Sequence, residues 1–441
     1  MARRTMTLSI AKRTHMEWLV LVALTGPFFF FVLIDVMKFP SAIKYAIDLI
    51  WVFLLLTLFL QRKKLPNVQS KSIMLWYGLF FFSACFGVLL EYQNILYTLW
   101  GLRNYFRFFV IYFSMIVFLS SRSVLSFFRF MDKLFYVNFA VSLYQFFVMG
   151  YKQDYLGGIF GVEKGCNGYT NIFLLIVVMW HVLKYINGKE TFKACSAKCI
   201  IALLIAALAE LKVFFVEFAL MVVLASLFTR FSARKMWIIV VGALGMLVAL
   251  EIINQMFPVF ANWFSAEGIV EIIASKKGYT QSNDMNRLTF FSIAMDRFLD
   301  TWPRKLLGLG LGNCDYASGI DFLTTPFYKL HHNLHYAWFS SAFLLLETGV
   351  VGLVLYVCVF VKVYFGARKR QKKGLADPTF CQMARIMAVM CPILVILNSS
   401  LRTEAGYMVY FVLALPFLKK EGREVVLKGP GNPECFGFEK A

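Results

Sequence analysis

Apolar runs long enough to cross a bilayer as helices recur along almost the whole chain, parted by short hydrophilic stretches. About 20 apolar residues in a helix span the hydrocarbon core of a membrane. Inside that core each backbone amide must be bonded within its own structure, which leaves the helix or the closed barrel. The runs lack the polar alternation of barrel strands, so the expected fold class is an all-α, polytopic membrane protein. Composition agrees: 60% of residues are hydrophobic and 16% charged, against about 25% charged in an ordinary soluble domain.

Taken with their flanks, the runs number about twelve: 18–36, 43–60, 74–90, 107–119, 134–149, 170–183, 199–211, 213–228, 237–257, 350–365, 383–398 and 407–418. The run 199–211 is short for a span and fits a broken or tilted helix. Basic clusters such as Arg62-Lys63-Lys64, Lys184 to Lys198, Arg230 to Lys235, Arg368 to Lys373 and Lys419-Lys420 all fall on one side of this count, together with both termini. Cytoplasmic loops carry the excess of Lys and Arg, so both ends are expected inside. The chain then divides into spans one to nine (1–257), a large helical exterior segment (258–349), spans ten to twelve (350–418) and a cytoplasmic tail (419–441).

The formal charge of +20 is distributed over these loops and forms no continuous stripe, so it signals topology, not a nucleic-acid partner. Cys195 and Cys199, the closest pair among nine scattered cysteines, lie on a Lys-rich loop expected to face the reducing cytoplasm, and neither a disulfide nor a zinc site is inferred. Arg3, Arg4, Lys12 and Arg13 precede a long first run without a small-residue cleavage pattern, so no cleavable signal is expected.

Chemistry is expected in the exterior segment, because a polar loop of this length is rarely a mere connector. Its amphipathic run 290–300 follows Asn286-Arg287-Leu288 and sets Leu288, Ile293 and Phe298 toward one helical face. Thr301-Trp302-Pro303 breaks it, and Gly308-Leu309-Gly310-Leu311-Gly312-Asn313 follows. Glycines two apart let a backbone turn tightly and approach a ligand closely. No strand precedes them and no Rossmann helix follows, which excludes dinucleotide binding. Three of the five histidines then cluster in Leu330-His331-His332-Asn333-Leu334-His335, where imidazole can move protons near neutral pH.

In order, Asn-Arg with an amphipathic helix, a Trp-Pro break, Gly-Leu-Gly-Leu-Gly-Asn, a His-Asn pair and Glu347-Thr-Gly-Val-Val-Gly-Leu353 resemble the O-antigen ligase and O-antigen polymerase superfamily of bacterial envelope glycosyltransferases. The resemblance is sharpest over residues 286–353, and the span layout extends it to most of the chain. It implies transfer of a glycan from an undecaprenyl-diphosphate donor to a hydroxyl acceptor at the outer face of the bacterial cytoplasmic membrane. The lipid diphosphate is the leaving group, so neither cofactor nor metal is expected. Such a reaction needs a base for the acceptor proton and cations for the charge that builds on the diphosphate. His332, followed by Asn333, occupies the place of the family's base, with His335 as second candidate. Glu347 lies farther from His332 than the family's spacing has it.

Arg287 matches the family's Asn/Ser-Arg position and is the first candidate for the diphosphate, since the guanidinium fork fits phosphate oxygens. Lys212 stands in a hairpin where the family usually has arginine. A charge beside two apolar runs is a functional candidate, and a local pair with Glu210 or Glu217 is its plain alternative. Arg103 and Arg107 share a helical face, and Arg402 lies in the last exterior turn with Glu404 near it in sequence. These three complete the candidate anionic site, although interfacial anchoring and a bridge to Glu404 remain open for them. Asn333 and Glu347 are candidates for substrate positioning, Glu347 chiefly by bracing the turn at Gly349. The loop 154–171 offers glycines, aromatics and amides suited to sugars.

Three functions follow as expectations. A polymerase joins lipid-linked repeat units of a surface polysaccharide and has membrane lipids and a chain-length regulator as expected partners. A ligase moves the same glycan to lipid A core or another acceptor. A lipid-linked oligosaccharide flippase would instead spread charge along many helices around a central cavity, commonly in a repeated architecture. Concentration of polar residues on one exterior segment favours the enzymes.

Overall fold

The computed structural model describes residues 14–60, 68–229, 232–256, 285–317, 320–418, 423–427 and 436–440. The first part of the expected exterior segment (257–284) and the basic runs at 62–64 and 419–420 lie outside these. The body is a bundle of helices: α1 (His15–Thr25), α2 (Ala46–Leu60), α3 (Val68–Leu90), α4 (Ile95–Phe118), α5 (Ser121–Phe147), α6 (Asn167–Ile186), α7 (Phe192–Leu208), α8 (Lys212–Phe228) and α9 (Ala233–Met256). Three short helices follow, α10 (Thr289–Ile293), α11 (Trp302–Leu307) and α12 (Pro326–His331). Then come α13 (Ser340–Lys372), α14 (Pro378–Leu397) and α15 (Gly406–Ala414). In the tail, Arg423–Leu427 and Phe436–Lys440 pair as a two-stranded antiparallel ribbon.

Among the described residues, five helices are long and apolar enough to cross a membrane: Ala42–Leu60, Ser70–Leu90, Asn167–Ile186, Ser340–Lys372 and Pro378–Leu397. Shorter apolar helices cover His15–Phe29, Lys235–Val248 and Gly406–Phe417. The apolar runs of the sequence each carry a helix, but several helices begin well before the runs do. α4 starts at Ile95, not near residue 107, and α5 at Ser121, not near 134. The added turns hold Arg103, and Arg122, Arg129, Asp132 and Lys133, which lie outside the apolar runs. Arg103 meets Asp48 of α2 and Asp132 meets His181 of α6, so partners on neighbouring helices offset charge within these turns.

One such meeting ties α5, α6 and α7. The His181 ring is buried between two carboxylates, with Nε2 2.6 Å from Asp132 and Nδ1 2.6 Å from Glu190. Lys198 of α7 reaches Asp132 at 3.4 Å, and Lys184 reaches Glu190 at 3.3 Å. At the same end of the bundle, Glu17 completes a capping box with Thr14 and accepts from the Ser120 amide (2.9 Å) and the Ser123 hydroxyl (2.8 Å), joining α1 to the start of α5.

α13 is kinked at Gly349, whose φ of 63° interrupts the helix. The half before the kink, through Phe343–Leu346, is wholly buried. It belongs to a second, smaller core formed with Phe290, Leu299, Leu309, Cys314, Tyr336 and Phe339, which fastens the segment 285–339 to one end of the bundle.

Candidate functional site

The 285–339 segment folds differently from its hydrophobic pattern. α10 runs into a π-helical turn at Ala294–Phe298. The extra residue advances the phase, so the buried face is Phe290, Ala294 and Leu299, while Leu288 is exposed. Of the expected Leu288–Ile293–Phe298 face, Ile293 and Phe298 pack half-buried against the second core, and Leu288 does not. Pro303 then stands in the first turn of α11, where its missing amide costs nothing.

The glycine-rich loop serves packing. Gly308, Gly310 and Gly312 have φ of 79°, 94° and 86°, a region that L side chains avoid. A Cβ would strike the Glu347–Thr348 backbone at Gly308, Gln93 at Gly310, and the Tyr97 carbonyl with Gly101 at Gly312. The loop is thus wedged between α3, α4 and the kink of α13, and Gln93 donates to the Leu311 carbonyl (2.9 Å). What these glycines approach closely is the protein's own backbone.

The turn between α14 and α15 is the meeting point of the candidate residues. The Leu397 carbonyl accepts from Arg287 Nε (2.8 Å), and the Asn398 carbonyl from the Ser340 amide and hydroxyl (2.9 and 3.0 Å). Arg402 turns inward, 2.6 Å from Asp315 Oδ2. Its guanidinium lies 3.4 Å from the centre of the Phe343 ring. Asn104 donates to the same carboxylate oxygen. Arg107 donates to Glu404 (3.2 Å) and to the Arg402 carbonyl (2.7 Å), and the Tyr169 hydroxyl donates to the other Glu404 oxygen (2.7 Å). Burial alone would push the Glu404 carboxyl up, but Arg107, the Tyr169 hydroxyl and Arg103 bring it down to about 2. Arg402 therefore pairs with Asp315, not with Glu404.

Arg103 is bound to Asp48 (2.8 Å) and to Asn104 Oδ1 (2.8 Å), and lies over the rings of Trp100 (4.6 Å) and Tyr45 (5.3 Å). Lys212 meets Glu210 at 2.6 Å in the turn between α7 and α8. Arg287 acts on Lys212 electrostatically, so these two cations share one neighbourhood, which Asp154 also enters. Glu217 is bonded instead to Asn171 (2.8 Å) inside the bundle.

The histidines sit on a turn anchored from Asp315. Its carbonyl accepts from the Thr325 amide (3.1 Å) and hydroxyl (3.0 Å), and the same hydroxyl accepts from the Tyr328 amide (3.2 Å) and so caps α12. His331 is wedged between Phe298 and Phe327, with ring centres 4.9 and 4.7 Å away. Partial burial, with Arg297 nearby, lowers its pKa. His332 and Asn333 are exposed. His332 Nδ1 is 3.1 Å from the Lys329 carbonyl, which can only accept, so Nδ1 carries the proton and Nε2 keeps its lone pair. His335 adopts a left-handed φ of 53° and stacks on Trp338 at 4.3 Å, with Lys164 5.6 Å from that indole. Its Nδ1 is buried without a partner among the described residues. A buried lone pair costs less than an orphaned N–H, so the favoured tautomer turns an Nε2–H outward. The Met285 amide donates to the Leu334 carbonyl (3.1 Å), which lays Arg287 beside the histidine turn.

Glu347 is fully buried. The Gly312 and Cys314 amides and the Arg402–Asp315 pair act on its carboxylate, but neither oxygen completes a hydrogen bond among the described residues. The candidates thus form three groups: Arg287 with Lys212, on which it acts electrostatically, Arg103 and Arg107 around Asp48 and Glu404, and Arg402 with Glu347 at Asp315. Asp315 and Asp48 as partners escaped the sequence reading, and Glu404, expected against Arg402, pairs with Arg107. Asp48 had a signal, a lone acid inside an apolar run, whereas Asp315 had none.

Among the described residues, no group of three or more His, Cys, Asp or Glu is arranged to hold a metal ion. No protein-family model matches the chain, and no curated protein matches it either.

Proposed function

We propose that the chain is a membrane glycosyltransferase that polymerises lipid-linked repeat units of a surface polysaccharide, in a twelve-span arrangement with residues 258–349 outside. The acceptor hydroxyl attacks the anomeric carbon, the bond from that carbon to the diphosphate oxygen breaks, and undecaprenyl diphosphate leaves. His332 Nε2 takes the hydroxyl proton during attack, since full ionisation of an alcohol near pH 7 is out of reach; such assistance is worth about 10²–10⁴-fold. Arg287 and Lys212 offset the charge growing on the diphosphate, and the His335 Nε2–H supplies a further donor. Arg103 borders this site, while Arg107 and Arg402 act through Glu404 and Asp315 to hold the turn between α14 and α15. The observation that carries the reading is the Met285–Leu334 hydrogen bond, which sets Arg287 beside the histidine turn.

The test is reconstitution of purified protein with its host's undecaprenyl-diphosphate-linked repeat unit, followed by separation of products by length. Polymer from the wild type, with loss in His332→Ala and Arg287→Ala, partial return in Arg287→Lys and sharp reduction in Lys212→Ala, is the expected result. Wild-type rates in both His332→Ala and His335→Ala would remove the histidine mechanism. Transfer to lipid A core in place of a second repeat unit would make the enzyme a ligase, and vectorial movement of intact lipid-linked glycan without transfer would make it a flippase.

A further inference from the structure

Beside the base lies a band of partly open aromatic rings, of which Tyr328 also borders the second core. The Tyr328 ring is 5.9 Å from His332 and stacks at 4.4 Å and 22° on Tyr316. Tyr316 is 41% exposed, and its carbonyl accepts from the Trp100 indole N–H (3.1 Å). Trp100 meets Tyr45 edge-on at 6.0 Å, and Arg103 lies across both rings. The band thus joins α12, the loop after the glycines and the start of α4, and leads from His332 to a guanidinium. Its rings are held by named contacts while all of them keep part of their surface open.

We propose that this band, Tyr45, Trp100, Tyr316, Tyr328 and His332 with Arg103 at its edge, is the acceptor-glycan subsite. The proposal rests on the transferase reading and adds to it the place where the attacking sugar lies. Pyranose rings present C–H-rich faces that are drawn to the negative faces of aromatic rings, while their hydroxyls bond polar groups at the rim. Two groups of rings, Tyr316 with Tyr328 and Tyr45 with Trp100, linked through the Tyr316 carbonyl, suit an oligosaccharide better than a single sugar. Continuity with His332 assigns the band to the acceptor, because the base must touch the hydroxyl that attacks. The donor's charged part belongs instead with Arg287 and Lys212. A membrane-interface belt would also be aromatic, and the experiment separates the two.

The probe is the repeat-unit oligosaccharide freed from its lipid by mild acid, which lacks the diphosphate. Binding is titrated to the full-length protein in detergent by quenching of tryptophan emission, with saturation-transfer NMR as a check. Removing a stacked ring should weaken binding about tenfold in Tyr316→Ala, whereas Tyr316→Phe, which keeps the ring, should stay within about twofold of wild type. Arg287→Ala should bind this probe normally. Tyr316→Leu serves as a second variant should the alanine protein not fold. In the transfer assay, the same loss should appear in KM for the acceptor, with kcat kept. No binding by the wild type, or equal binding by folded Tyr316→Ala or Tyr316→Leu, overturns the subsite. So does unchanged glycan binding coupled to weaker flotation with liposomes, which would make the band an interfacial anchor. Ring-dependent binding by a wild type that transfers nothing would leave the subsite standing and remove the transferase reading.

Discussion

Arg402 shows how the same residue type acquires a role from its partner. It sits at 8% side-chain exposure against an Asp315 at 4%, and cutting one member of such a buried pair leaves the other charge stranded, at a cost of roughly 3–5 kcal/mol. Arg402→Ala and Asp315→Asn are therefore expected to lower the melting temperature in detergent markedly, with loss of activity following loss of fold. Arg287→Ala should lose activity by weakening the hold on the donor diphosphate. A melting temperature for Arg402→Ala equal to wild type would return Arg402 to the candidate donor ligands. Glu404 supplies a pH counterpart. Its folded pKa of about 2 lies below the ordinary 4.5, so the pairing contributes fully above about pH 4.5 and is lost as pH falls toward about 2. Melting curves between pH 6 and pH 3 should show a fall in the wild type that Glu404→Gln, already without the charge, largely lacks.

At the scale of elements, the glycine loop and the kink of α13 form one device. Gly349 opens the helix at φ 63°, and a Cβ there would strike the Leu306 carbonyl, so α11 and the loop fit only against a bare backbone. A comparison of two glycines isolates this wedge. Gly312 and Gly374 both have positive φ, 86° and 62°, but a Cβ at Gly374 would meet nothing within 4 Å. Both alanine variants bear the left-handed penalty of about 1–2 kcal/mol, and only Gly312→Ala must also move α4. It should melt several degrees below Gly374→Ala; equal melting would mean the loop is not wedged. The His181 cluster works likewise for α5, α6 and α7, replacing apolar packing at one end of the bundle with a buried ionic tie.

For the whole molecule, the side of the membrane is the property on which the functional reading depends. Single cysteines introduced at Asp321 and at Lys373, in a background without native thiols, should label oppositely: Asp321→Cys from outside in intact cells, and Lys373→Cys only after permeabilisation. The reverse pattern would put the histidine turn in the cytoplasm, where the lipid-linked glycan at the outer face cannot reach it, and the glycosyltransferase proposal would fall.

The apolar runs and the placement of Lys and Arg between them determined by themselves that this chain is a helical bundle suited to a bilayer, because burial of backbone amides in hydrocarbon admits so few structures. The sequence also pointed to the histidine turn and to Lys212 beside Glu210, since contacts between residues two to four apart are visible along the chain. Tertiary structure decided the rest. It extended α4 and α5 beyond the apolar runs, where the partners Asp48 and His181 come from distant segments. It shifted the buried face of α10 through a π-helical turn, and it gave the glycines a packing role in place of a ligand. It set Lys212, Arg103, Arg107 and Arg402 each against a carboxylate and bonded Arg287 to a backbone carbonyl. A charge's function depends on which opposite charge lies within a few ångströms, and that distance is set by helices that meet only after the chain has folded.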